Sequence, residues 1–189
     1  PKSESKETAE SPSGSSSKPQ ASTPAGSTTK PTPQISSDAF RQAAFEGRLD
    51  SVRSAVQSGI DVNAKDAQSL TALHMAAYNG HTETVDFLIE NGATVDCRDQ
   101  EGKTPLIHAC TGPFAKAAEA LIDAGADIDA REGTEGFTPL MMAAGIGQPE
   151  VVEVLLKHGA DKSLVDKDND SAEDHARNSG HAKIVEMLK

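Results

Sequence analysis

The chain has 189 residues, 36% of them apolar, and a formal net charge of −11. That leaves room for one ordinary domain plus a tail, and the acidic balance excludes nucleic acid as a ligand, because neutralising phosphates needs clustered Lys and Arg. No stretch approaches the roughly 20 apolar residues of a membrane span, and no signal-peptide core is present.

Residues 1–36 are built of Ser, Thr, Pro, Gly, Lys and Glu, with no aromatic residue and no branched aliphatic before Ile35. Such a segment cannot bury enough surface to offset its ordering entropy, and a disordered tail or linker is expected. As a flexible coil it would span roughly 35 Å. It carries four Lys against three Glu, leaving −12 for the rest of the chain. The first residue is Pro rather than Met. A mature protein that has lost a targeting segment is expected, and with it an extracytoplasmic place, periplasmic or secreted; a trimmed chain would look the same.

From residue 37 to 189 the sequence is periodic. Thr71 recurs as Thr104, Thr138 and Ser171, in steps of 33, 34 and 33, and one step backward lands on Asp38. Gly59, Gly92, Gly125 and Gly159 keep the same beat. A fixed period of this size means stacked supersecondary units, each unable to bury its apolar face alone. Five units are expected, over about 37–66, 67–99, 100–132, 133–166 and 167–189. The first has Phe40 where the others have Leu and lacks a preceding hairpin half.

The second unit, with Ala76 and Ala77 and then Val85, Leu88 and Ile89, sets the pattern. In the third, a polar turn from Asp99 to Lys103 precedes Thr104-Pro105. Thr caps free N–H groups, and Pro at the first helical position loses no hydrogen bond. Thr138-Pro139 repeats the device in the fourth unit. Small residues follow, Ala109 and Cys110 or Ala143 and Ala144, and let neighbouring helices come close. Ala118, Leu121 and Ile122, then Val152, Leu155 and Leu156, give second helices a core stripe. Each second helix should end just before its Gly, in the left-handed conformation. The fifth unit, with Glu173, Asp174 and Arg177, has the polar character that suits a terminal unit, so that both ends of the array are expected to be present.

Gly-x-Thr-Pro-Leu, Ala-Ala, Gly-His, a Val/Leu-rich helix and Gly-Ala-Asp together make residues 37–189 resemble an ankyrin repeat protein. The resemblance implies an all-α solenoid of helix-turn-helix units joined by β-hairpin-like loops. Departures are Ile107 and Met141 in place of His74, Pro113-Phe114 in place of Gly-His, and one extra residue between Arg131 and Gly136.

Chemistry finds little support. Asp166, Asp168 and Asp170 alternate as in a calcium loop, but that loop wants Gly and Glu where Ser171 and Arg177 stand; solvated hairpin residues are the better account. His81 and His181 share one repeat position, and His108 and His175 another, so the histidines are spread along the stack rather than gathered into a zinc or acid/base centre. Cys97 and Cys110 occupy positions filled elsewhere by Ala, and read as small packing residues, with a structural disulfide as the alternative. No catalytic, cofactor or metal residue is expected, and no enzyme activity.

In ankyrin repeat proteins the partner usually meets the concave side, made of hairpin tips and exposed positions of the first helices. Carried over by position, this implies Gln68, Leu70, Tyr78 and Asn79 in the second unit, Gln100, Glu101, Lys103 and Thr111 in the third, Glu135, Phe137 and Ile146 in the fourth, and Lys167, Asp168 and Asp170 in the fifth. Tyr78 and Phe137 are either partner anchors or packing against a neighbouring hairpin. The function implied is a non-catalytic interaction module, expected to be monomeric, for a protein partner with a basic rim. The alternative is a dedicated regulatory or inhibitory subunit that stabilises or masks a partner enzyme.

Overall fold

The computed structural model describes residues 35–189, so the expectation of a disordered tail falls, for residues 1–34, outside the described residues. Ten helices follow in five pairs: α1 (Ser37–Phe45) with α2 (Leu49–Gln57), α3 (Ala72–Tyr78) with α4 (Thr82–Glu90), α5 (Pro105–Ala109) with α6 (Ala115–Asp123), α7 (Pro139–Ile146) with α8 (Pro149–Lys157), and α9 (Ala172–Asn178) with α10 (Ala182–Leu188). First helices pack on first helices and second on second, giving two layers along the stack.

Each first helix opens on a hydroxyl cap. The side chains of Thr71, Thr104, Thr138 and Ser171 accept from the N–H three residues on. The first unit differs: the backward step of the period lands on Asp38, which lies inside α1, and the cap is Ser36, accepting from Ala39 N at 3.1 Å. Phe40, Ala43 and Ala44 still keep the register of Leu73, Ala76 and Ala77, all buried. Helix α1 begins earlier in its unit than the other first helices, and Ile35 packs against the core.

The core lies between the layers. Ala76, Ala77, Ala109, Cys110, Ala143 and Ala144 are fully buried, as are Val85, Leu88, Ala118, Leu121, Val152 and Leu155. Ile89, Ile122 and Leu156 pack against them half-buried. Cys97 and Cys110 are buried free thiols, as the packing account expects.

Two kinds of turn glycine separate here. Gly92 sits at φ +87 with open space where a Cβ would point, so only its left-handed backbone requires glycine. Gly80 has φ +67 and also carries the Phe114 ring on its bare face. Gly47 and Gly147 receive His81 and His181 in the same way. Phe114 thus takes the seat of the histidine it replaces.

The loops between units fold back as hairpin tips without forming strands among the described residues; the one bridge there joins Val165 and Ser171. Asp66 N–H donates to Leu70 O at 3.0 Å, Asp99 to Lys103 at 3.1 Å, Glu132 to Phe137 at 3.0 Å and Asp166 to Asp170 at 3.1 Å.

Candidate functional site

Every tip is held by the carboxylate that starts it. Asp66 Oδ1 accepts from the N–H groups of Gln68 (2.9 Å) and Leu70 (2.8 Å), Asp99 Oδ1 from Glu101 and Lys103 (both 2.9 Å), and Asp166 Oδ1 from Asp168 (2.9 Å) and Asp170 (3.0 Å). The fourth tip is one residue longer, and its carboxylate is one methylene longer: Glu132 accepts from Thr134 N (2.7 Å), Glu135 N and Gly136 N (both 2.6 Å) and Phe137 N (3.1 Å). Although burial opposes ionisation, the bonds from Thr134 and its neighbours hold Glu132 down at about 2. Burial likewise opposes ionisation of Asp99 and Asp166, yet their hydrogen bonds keep both below the usual range. Asp166 is therefore a buried organiser of its tip, not the solvated residue that the sequence suggests.

Consecutive tips are joined. Gln100 N–H donates to Gln68 O (2.9 Å), Gly133 to Glu101 O (2.7 Å) and Lys167 to Glu135 O (2.9 Å). Arg98 donates to Gly102 O in its own tip (2.8 Å) and to Arg131 O in the next unit (2.6 Å); Arg131 repeats this with Gly136 O (3.3 Å) and Val165 O (2.6 Å). The tips thus form a continuous bonded ridge beside the exposed edges of the first helices.

Behind the ridge the histidines do not stay apart. His74, buried, accepts from Thr71 N at Nδ1 (3.2 Å) and donates from Nε2 to Lys103 O (3.3 Å), while its ring meets the edge of His108 at 5.4 Å. His108 donates to Asp99 Oδ2 at 2.8 Å, and His175 to Asp166 Oδ2 at 2.7 Å. Burial, and then the neighbouring His108, push His74 down to about 4; burial also lowers His108. The Cys97 sulfur lies 3.6 Å from His74 Nδ1, but burial raises its pKa and keeps it a thiol. A neutral imidazole beside a protonated thiol is packing chemistry. Among the described residues no His, Cys, Asp and Glu group is arranged to hold a metal ion, and no helix is long and apolar enough to cross a membrane.

The five helix pairs have hydroxyl-capped first helices and bonded tips between them, and left-handed glycines follow the second helix in the first four; the chain matches the ankyrin repeats family over residues 40–132 and 117–189. The chain belongs to the ankyrin repeat family. Ankyrin repeats are generally protein-interaction modules. Human ankyrin repeat family A protein 2 is 53% identical over 47 residues, 25% of this chain and 15% of that protein. Human NAD-capped RNA hydrolase NUDT12 is 43% identical over 53 residues, 28% of this chain and 12% of that protein. The chain thus spans well under a quarter of the curated relatives it matches.

The expected contact residues of this ankyrin repeat array fall into three groups. Exposed on the ridge or the first helices are Gln68, Tyr78, Gln100, Glu101, Glu135, Ile146, Lys167 and Asp168. Half-buried are Leu70, Lys103, Thr111, Phe137 and Asp170. Asn79 is half-buried and engaged: its amide donates to Phe45 O at 2.6 Å. Phe137 meets the His175 ring at 4.8 Å and packs against the core, whereas Tyr78 stacks on Phe45 at 6.3 Å with 46% of its surface exposed. Sequence reasoning missed Phe45, Met75 and Met142 on this face. The period would have found them: Phe45 lies one step before Tyr78, and the methionines share the position of His108 and His175.

Proposed function

We propose that the chain is a non-catalytic interaction module that binds a partner protein through its hairpin tips and first helices. The observation that carries this is the placing of the exposed large hydrophobic residues. Among the described residues these are Tyr78, 46% exposed, and Ile146, 43% exposed, and both lie on first helices. A large aromatic left half in water beside satisfied polar neighbours has the character of an interface anchor. The ridge beside it is rigid by its own hydrogen bonds, so little ordering cost would attend binding. The test is capture of the native partner from its own cells by the full chain and by Tyr78→Ala/Ile146→Ala. Lost capture by a variant that still unfolds cooperatively, well above the assay temperature, supports this face; retained capture places the contact elsewhere.

A further inference from the structure

We infer that the occupant of this face is an extended protein segment of split chemistry, with an apolar or aromatic anchor at one end and two or more Lys or Arg at the other. The inference rests on the binding face proposed above. Its ground is an uneven distribution of charge along that face. Residues 64–79 and 97–111, around Tyr78, carry three carboxylates and three cations, and Glu101 pairs with Lys103 there. Residues 131–137 and 165–178 carry seven carboxylates against three cations.

Those three cations are already engaged. Arg131 donates to Gly136 and Val165 carbonyls, Lys167 to the Gly133 and Thr134 carbonyls, and Arg177 pairs with Glu173 and Asp174. The carboxylates of Glu135, Asp168 and Asp170, by contrast, have no hydrogen-bond or ion-pair partner among the described residues, and Glu135 and Asp168 stand exposed on adjacent tips. The Tyr78 end therefore offers ring surface in a neutral field, and the other end offers unpaired negative charge. A cation arriving there completes ion pairs that the chain itself leaves open.

The two ends are two to three units apart. At 8–10 Å between packed helices this is roughly 20–30 Å, or about six to nine residues of extended chain. Nucleic acid does not fit, since the end richest in charge repels phosphate.

The test is selection of random peptides on the full-length chain, followed by fluorescence anisotropy of the enriched peptides. Enriched peptides should share an apolar or aromatic anchor and a Lys/Arg pair about six to nine residues away. Their affinity should fall at least tenfold with Tyr78→Ala and with Glu135→Lys/Asp168→Lys, and less steeply with Glu135→Gln/Asp168→Asn. The effect of charge reversal should shrink at high salt. Affinity that responds to Tyr78→Ala and not to charge reversal overturns the split chemistry and leaves the face standing. Indifference to both overturns the face as well. Binding seen only after Lys2, Lys6, Lys18 and Lys30 are changed to Ser overturns the partner assignment in favour of the chain's own N-terminal segment.

Discussion

His74 shows how one side chain can tie two units and carry a pH dependence with it. Its imidazole closes the cap of α3 and reaches the Lys103 carbonyl of the next unit. Held at about 4, it is neutral in the native state where an unfolded histidine of pKa near 6.5 begins to charge. Below 6.5 the unfolded state takes up the proton first, so its contribution is complete above 6.5 and is lost as the pH falls towards 4, by roughly 3 kcal/mol. Asp99, held below its usual range, adds a loss only further down. Urea titrations at pH 7, 5.5 and 4 should show the wild-type chain weakening over this window, and His74→Ile, which borrows the residue found at 107, weakening less. An equal acid loss in both would remove His74 from the account. Glycines divide by the same residue-scale logic. Gly92→Ala meets only left-handed strain, about 1–2 kcal/mol, whereas Gly80→Ala adds a collision with the Phe114 ring. Thermal melting should therefore rank Gly80→Ala below Gly92→Ala.

At the scale of the element, the tips explain why an irregular period does not break the ridge. The extra residue after Arg131 is read in the sequence as a departure in turn geometry, and the structure shows its compensation in Glu132, whose longer side chain reaches four N–H groups. Glu132→Ala should cost about 2–3 kcal/mol, since a buried charged acceptor is lost to several donors. Glu132→Asp should cost nearly as much, and deletion of Gly133 in the Asp background should recover part of it by restoring the shorter tip. Equal melting temperatures for wild type and Glu132→Asp would mean that the methylene is immaterial. Caps and turn glycines were legible because each is dictated by local backbone geometry, which the period repeats. The tip carboxylates were not, because a run such as Asp166-Lys167-Asp168 reads as solvated until the fold directs one oxygen at its own tip and the other at His175.

Across the whole molecule, the stack was legible from the period alone, while the character of its face was only partly so. Tyr78 and Phe137 look alike in the sequence as aromatic residues at weakly constrained positions. They part in the structure because a ring at a tip can fold onto the next first helix, as Phe137 does on His175, whereas the Tyr78 ring near the end of α3, stacked on Phe45 and edge-on to His108 at 6.0 Å, still leaves 46% of its residue's surface exposed. Phe137→Ala should therefore lower stability by about 2–3 kcal/mol, towards the lower end for an aromatic truncation because the ring is only half-buried, and Tyr78→Ala should lower it by about 1 kcal/mol or less. The His74–His108 contact was missed for a related reason: positions one step apart in the period are spread along the chain, yet neighbouring units bring different positions of the period together. The central claim, that this array works by presenting the first-helix face to a protein, is tested most directly by crosslinking and mass spectrometry of the tagged full chain in its native cells, with Tyr78→Ala/Ile146→Ala as control. Crosslinks from Lys103 and Lys167 to one partner, absent from the folded double variant, are the predicted result; crosslinks that persist in that variant, or that run only from Lys116, Lys157 and Lys183 on the second helices, would contradict it.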